Sequence, residues 1–511
     1  MVNPASKQDI LHKYFPEIKD FRDIREAAIE NVVNRKNTLC LMATGGGKSL
    51  IYQVAGLLIG KVTLVISPLI ALMEQQADRL KQKGIKTTCL SGLETLRYYS
   101  LLRDLSFDDT AKFIFFSPEK AAFDGYLEYL FNRYQHQIGL IVIDESHCVS
   151  QWGHSFRPSY KALPVFLNRT FGSFNWPTIL CLTATLNSKD KQEICTDFRI
   201  LPDNILTSLF LLRNNLNLKF ETYEDEAAKK HRLRELLEKH RNDKIIVYTH
   251  RKNGRFGTRA ISEEFHAEEW NCAFFDADIG DTQKETVLKA FETSETQIVF
   301  ATNAFGMGID IPDIRVVIHY LVPESIEQYY QEVGRAGRDG ESSYGYLLYS
   351  PTNIRVRKDM IKAGFPKDSE LISACNAPPI ALSRGNTVGS FSPWLNASEN
   401  TDQLMIFFTL LNRGFIKILS KGVSPITCFS HTESIGFRAF EDFLSITKIG
   451  SAITIANRLN ISISEVTSRL YQWYTDHQLK LISSPAKLMF YEYPEKPTEA
   501  NIQEIQRFLI E

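Results

Sequence analysis

The sequence predicts an α/β protein built as two tandem parallel-sheet domains, followed by a mainly helical, winged-helix-like module. Three observations carry this. Short apolar runs recur without polar alternation, which is how strands buried on both faces read. Helical stretches such as ALMEQQADRLKQKG (71–84) lie between them, and strands alternating with helices imply a parallel sheet covered on both sides. The pattern then changes character near the C-terminus.

The first set of runs is TLCLMA (38–43), VTLVIS (62–67), KFIFFS (112–117), GLIVID (139–144) and TILCLT (178–183). After a pause come LKFETY (218–223), KIIVYT (244–249), NCAFFD (271–276), TQIVFAT (296–302), IRVVIH (314–319) and YGYLLYS (344–350). The expected division is a first domain over 1–208, a second over 209–363, a linker over 364–400 and an accessory domain over 401–511. The linker reading rests on NAPPIALSRGNTVGSFSPWLNASEN (376–400), rich in Pro, Gly, Ser and Asn. Within the last part, ITIANRLN (453–460) and EVTSRLYQWYTDHQ (465–478) read as helix, turn, helix. LKLIS (479–483) and KLMFYEY (487–493) read as a hairpin around SPA, completing a winged-helix outline.

Composition sets bounds. The chain has 511 residues, 44% hydrophobic and 23% charged, with a net charge of -1, so about three domains are expected and any nucleic-acid contact must come from locally placed Lys and Arg. Eight Cys at 40, 89, 148, 181, 195, 272, 375 and 428 form no CxxC pair, which argues against a zinc module or a disulfide framework and for a reducing, intracellular compartment. The first residues, MVNPASKQDILHKYFPE, do not read as a signal peptide. No apolar run approaches the roughly 18 residues of a membrane span, so no membrane association is expected.

The chemistry-bearing motifs fall at strand ends. ATGGGKS (43–49) follows one strand and opens a helix. Thr44, Gly45, Gly46 and Gly47 let backbone N–H groups curl around phosphates, Lys48 reaches the β- and γ-phosphates, and Ser49 ligates Mg²⁺. The helix N-terminus adds its positive dipole end. Asp144 and Glu145 end the run LIVI, where open α/β sheets place ligands. Asp144 is the partner for Mg²⁺, and Glu145 the group that orients or deprotonates an attacking water. The hydroxyls of TAT (183–185) are placed to relay between the two sites. In the second domain, Asp310 lies beside glycines in ATNAFGMGIDIPDIRVVIH (301–319). Arg335 and Arg338 in IEQYYQEVGRAGRDG (326–340) stand three apart between glycines, suited to stabilising charge on a transferring phosphoryl group. Trp152, Phe156 and Arg157 follow the acid pair in SQWGHSFRP (150–158), in a segment too broken by Gly153 and Pro158 for a core helix.

Residues 20–350 resemble a superfamily 2 helicase and, within it, the RecQ family. The carrying residues are FR (21–22), MATGGGKSLIYQ (42–53), SPLIALMEQQ (67–76), FFSPEK (115–120), DESHCVSQWGHSFRPSY (144–160), LTATLN (182–187), AFGMGIDIPDIRVVIH (304–319) and YYQEVGRAGRDG (329–340). The resemblance implies RecA-like domains, ATP and Mg²⁺ as cofactors, and nucleotide contacts from Arg22 and Gln331 besides the phosphate loop. It implies catalytic roles for Lys48, Asp144, Glu145, Arg335 and Arg338. It also implies that Trp152 and Phe156 stack on single-stranded DNA while Arg157 meets phosphate or nucleotide, coupling DNA to hydrolysis. Base stacking is worth about 1–3 kcal/mol per base without sequence readout.

Departures stand beside the likeness. Arg25 occupies the place of a family Gln that reads adenine, and Arg only donates hydrogen bonds. Glu17 or Ile18 falls where a stacking aromatic is expected, Ser146 replaces an Ala, FDAD (275–278) a His-containing segment and Ile311 a Lys. No four-Cys set follows residue 350, so no zinc is expected. The expected activity is ATP-dependent 3′-to-5′ translocation and unwinding of DNA, with single-stranded and tailed or forked duplex DNA as partners and protein partners through 401–511. The alternatives are a translocase that does not separate strands, and a nucleotide-gated DNA-binding scaffold subunit.

Overall fold

The unalternating apolar runs become the strands of two parallel sheets. The computed structural model describes residues 6–510 except 44–45, 94, 106, 108–111, 150–157, 185, 209–212, 306–310, 364–365, 377–379, 382–386, 392–400, 424–425, 431–451, 478, 484–486 and 495–496. The first sheet comprises β1 (Thr38–Leu41), β2 (Val62–Ile66), β3 (Thr87–Cys89), β4 (Lys112–Phe116), β5 (Ile138–Ile143), β6 (Thr178–Thr183) and β7 (Ile205–Thr207). Its order is β3-β4-β2-β5-β6-β1-β7. Successive side chains leave a strand on opposite faces, so each run feeds two cores. Leu64 and Ile66 join Leu39, Ile141 and Ile179 on one face. Val65 joins Cys40, Val142 and Leu180 on the other. The short edge strands β3 and β7 are not legible as apolar runs.

The second sheet comprises β8 (Leu216–Thr222), β9 (Lys244–Tyr248), β10 (Cys272–Phe275), β11 (Ile298–Ala301), β12 (Ile314–His319) and β13 (Ser343–Tyr349), ordered β10-β11-β9-β12-β13-β8. It too is sandwiched between two apolar clusters. Both α/β lobes match the sequence expectation.

The C-terminal part departs from it. Its strands are β14 (Ile380–Ala381), β15 (Thr387–Phe391), β16 (Lys417–Val423), β17 (Ile426–Ser430), β18 (Leu479–Ser483) and β19 (Lys487–Glu492). The expected hairpin of β18 and β19 does not form. β18 pairs antiparallel with β17, while β19 runs between β15 and β16. β19 is an interior strand, bonded along both edges by β15 and β16 and buried on both faces, with Met489 in one cluster and Phe490 in another, so it is not a free wing. The helices Ala452–Leu459 and Ile463–Thr475 do form and pack on each other. The segment read as a linker also carries structure. Helix Asp368–Cys375 buries Leu371 and Cys375 against Phe407 and Leu411 of helix Thr401–Asn412.

This module docks on the first lobe. Tyr471 and Tyr474 of helix Ile463–Thr475 enter that lobe's core. Lys421 reaches Glu128 at 2.6 Å, and Arg169 meets the same carboxylate at 2.8 Å. Gly125 permits the approach, because a Cβ there would lie 2.1 Å from the Lys421 carbonyl oxygen.

Candidate active site

Strand β1 delivers the chain into the phosphate loop and then into helix Lys48–Ile59. Gly46 N–H donates to Ala43 O at 3.0 Å, and a Cβ on Gly46 would sit 2.8 Å from that oxygen. Gly47 caps the helix with φ +79°, a left-handed conformation that glycine adopts at no steric cost. Lys48 and Ser49 therefore open the helix beside the end of the sheet. Thr44 and Gly45 lie outside the described residues.

Strand β5 brings the acid pair to the same edge. Asp144 accepts from Ser67 Oγ at 3.3 Å and from the Glu145 N–H at 3.0 Å. Tyr160 OH donates to the Asp144 carbonyl at 2.8 Å. Glu145 has φ +48°, an uncommon backbone state for a residue with a side chain and one that turns its carboxylate back over the phosphate loop. Lys48 Nζ lies 3.3 Å from Glu145 Oε1. His147 Nδ1 lies 3.3 Å from Glu145 Oε2 and 3.0 Å from Thr183 Oγ1. Thr183 thus takes the relay position expected of TAT, while Thr185 lies outside the described residues.

The two carboxyls titrate apart. Burial and then the charge of Glu145 push Asp144 up to about 6. Burial also opposes ionisation of Glu145, but Lys48, His147 and Arg335 outweigh it and hold Glu145 below the ordinary carboxylate range. Burial lowers the pKa of His147, against the pull of Glu145. A dication fits this donor set, because Asp144 is a buried carboxylate whose charge a cation would stabilise, with the Ser67 hydroxyl beside it.

The second lobe closes the site. Helix Ile326–Val333 carries Gln331, whose Nε2 lies 3.0 Å from His147 Nε2. The following turn holds Arg335, which is nine-tenths buried. Arg335 is near enough to Glu145 to stabilise its charge. Both Arg335 and Arg338 act on the Tyr248 hydroxyl. The turn is fixed at Gly337 (φ +64°), where a Cβ would lie 2.5 Å from Asn215 Nδ2. Arg213 donates to the Ala336 carbonyl at 2.7 Å. Beneath the helix, Glu332 Oε2 lies 2.8 Å from His319 Nε2 and 3.2 Å from His250 Nε2.

The structure thus assembles Lys48, Asp144, Glu145, Gln331 and Arg335 around one cleft, with Arg338 beside it. Arg22 is solvent-exposed next to Arg25. Asp310, Trp152, Phe156 and Arg157 lie outside the described residues. Sequence reasoning missed Ser67, Tyr160, Arg213 and the His250–His319–Glu332 cluster. Ser67 and Tyr160 sat within quoted motifs, whereas Arg213 had no local signal.

Residues 22–194 match the DEAD/DEAH box helicase family model and residues 228–340 the helicase conserved C-terminal domain. The chain is 35% identical over 357 residues to ATP-dependent DNA helicase RecQ of Bacillus subtilis, covering 70% of this chain and 58% of that protein. It is 37% identical over 373 residues to RecQ-like DNA helicase BLM of Xenopus laevis, covering 70% and 26%. To the probable ATP-dependent DNA helicase RecS of B. subtilis it is 32% identical over 358 residues, covering 70% and 69%. The match therefore spans little more than half of the first of these relatives and about a quarter of the second. In fold, Saccharomyces cerevisiae Dbp5 bound to RNA and ADP BeF3 superimposes with a TM-score of 0.50 at 16% identity, covering 70% of this chain and 91% of that one. With a fold of two parallel-sheet lobes, an acid pair facing a phosphate loop, and a relative matched over two thirds of its length, the chain belongs to the RecQ family of superfamily 2 helicases.

Proposed function

We propose that the protein is an ATP-dependent DNA helicase that moves 3′ to 5′ on single-stranded DNA and separates duplex ahead of it. The observation that carries this reading is the continuous polar chain Lys48–Glu145–His147–Gln331, which joins the phosphate loop to the second lobe. A change at the nucleotide is thereby felt by the far lobe, and lobe motion by the nucleotide.

The residues take these roles. The glycine turn and Lys48 bind the phosphates. Asp144 and Ser49 would hold Mg²⁺, which when bound neutralises phosphate charge. Glu145, ionised and turned over the loop, accepts a proton from water or orients it. Thr183 and Gln331 hold the His147 ring in place. Arg335 and Arg338 come from the second lobe and stabilise charge on the transferring phosphoryl group only when the cleft is shut. Trp152, Phe156 and Arg157 are the proposed DNA contacts, chemically continuous with the acid pair. Arg22 is a proposed nucleotide contact.

The second reading is a translocase that does not separate strands. It is favoured by β18 and β19 joining different sheets, which leaves no β18–β19 hairpin to split a duplex. ATP turnover and fluorescence-reported unwinding, measured on the same 3′-tailed and 5′-tailed duplexes, separate the two. Unwinding of the 3′-tailed substrate alone supports the helicase. DNA-stimulated turnover without unwinding supports the translocase.

A further inference from the structure

Arg25 lies far from the acid pair in sequence, yet it touches the phosphate loop directly. Its Nε and Nη2 both donate to the carbonyl oxygen of Gly46, at 3.1 and 2.7 Å. The guanidinium lies flat against Gly47, where a Cβ would come within 3.1 Å of Arg25 Cζ. Half-burial and the neighbouring Arg22 make this a costly place for a cation, so the contact is one the fold sustains against opposition.

The consequence follows from the peptide unit. A trans peptide is planar, and its C=O and N–H point in opposite directions. The oxygen that Arg25 grips and the N–H of Gly47 belong to one peptide. Drawing the Gly46 oxygen toward Arg25 therefore aims the Gly47 N–H the opposite way. Among the described residues nothing accepts from that N–H. The peptide lies between two glycines, whose dihedrals permit a flip that other residues resist. Flipped, it would present a carbonyl oxygen to an anionic phosphate instead of a donor.

We propose that Arg25 is a positioning residue for nucleotide phosphates, locking the Gly46–Gly47 peptide with its N–H turned to the ligand. Arg suits the task because its rigid fork places two donors on one oxygen. A lysine supplies a single flexible donor. The assignment rests on the nucleotide-hydrolysing reading above and says what Arg25 does there in place of reading a base.

The test compares wild type, Arg25→Ala and Arg25→Lys. Steady-state ATPase is measured together with calorimetric binding of inorganic pyrophosphate and of adenosine. The lock serves ground-state phosphate binding, so Arg25→Ala is expected to raise the KM for ATP about ten-fold while kcat changes by less than about three-fold. Pyrophosphate affinity is expected to fall by a similar factor, adenosine affinity to stay the same, and Arg25→Lys to fall between. Unchanged pyrophosphate affinity in both variants overturns the proposal, as does a loss confined to adenosine. Should Arg25→Ala fail to fold, the pyrophosphate affinity of Arg25→Lys decides alone. If wild type lacks ATPase activity, the function proposed above fails, while the pyrophosphate comparison still judges Arg25.

Discussion

Lys48 and Glu145 face each other at 3.3 Å with little exposure, and the ammonium helps hold the Glu145 carboxyl below the ordinary range. Removing the ammonium leaves a buried carboxylate beside the site for phosphate. Lys48→Ala is expected to abolish ATP hydrolysis, by about 100-fold or more in kcat, measured as phosphate release. Glu145→Gln keeps the shape and one acceptor oxygen for Lys48 but cannot take a proton. It is expected to lower kcat by about 10²–10⁴ while ADP affinity, measured by calorimetry, changes less than about three-fold. A variant that hydrolyses ATP at the wild-type rate would remove Glu145 from the chemistry. At this scale the sequence was most informative. GGGKS and DE state their chemistry by residue type and spacing, whereas the left-handed φ of Glu145 and the Arg25 contact depend on chain segments that meet only after folding.

Individual elements depend on buried charge. His319, at the end of β12, is fully buried beside Glu332, His250 and Arg357, and burial holds its pKa below the usual value of 6.5. Glu332 stays ionised far below the ordinary carboxylate range: burial opposes its charge, and His250 and His319 outweigh that. Both shifts act in one direction. Below pH 6.5 the unfolded chain takes a proton at His319 that the folded chain resists, so stability declines as pH falls from 6.5, by up to about 1.4 kcal/mol per pH unit from this group. Below pH 4.5 Glu332 adds to the decline. The expected outcome is a lower melting temperature at pH 5 than at pH 7, with a shallower slope in His319→Gln. An equal slope in that variant would place the acid sensitivity elsewhere. The docking of the C-terminal module makes a second test. Lys421→Met leaves Glu128 buried with Arg169 alone and is expected to cost about 3 kcal/mol in denaturant unfolding. The double variant Lys421→Met, Glu128→Gln is expected to regain part of it. The parallel strands were legible because burial on both faces leaves an unbroken apolar run. The β18–β19 pairing was not legible because adjacency in sequence favours a hairpin, while the edges of β19 are taken by β15 and β16, strands distant in sequence or unmarked by an apolar run.

Across the whole molecule, the C-terminal module travels with the first lobe, since Tyr471, Tyr474 and Lys421 are buried against it. In the proposed mechanism, closure is then a motion of the second lobe against a larger unit, with Gln331 and Arg335 arriving at His147 and Glu145. The proposed DNA coupling belongs to this scale as well. Trp152→Ala is expected to keep basal ATPase and lose most of its stimulation by single-stranded DNA. Equal loss of both rates would count against a coupling role. The two-lobe plan was readable from the alternation of strand and helix, but the docking of the third module was not, because its contacts join residues some 300 positions apart, such as Lys421 and Ala121. The central claim is that shutting the cleft places guanidiniums of the second lobe on a nucleotide gripped by the first. The most direct measurement is a structure of the protein with ADP BeF3 and single-stranded DNA. The account predicts Arg335 and Arg338 within about 3 Å of the fluoride group that stands for the γ-phosphate. Both side chains turned away from it in a closed cleft would contradict the account.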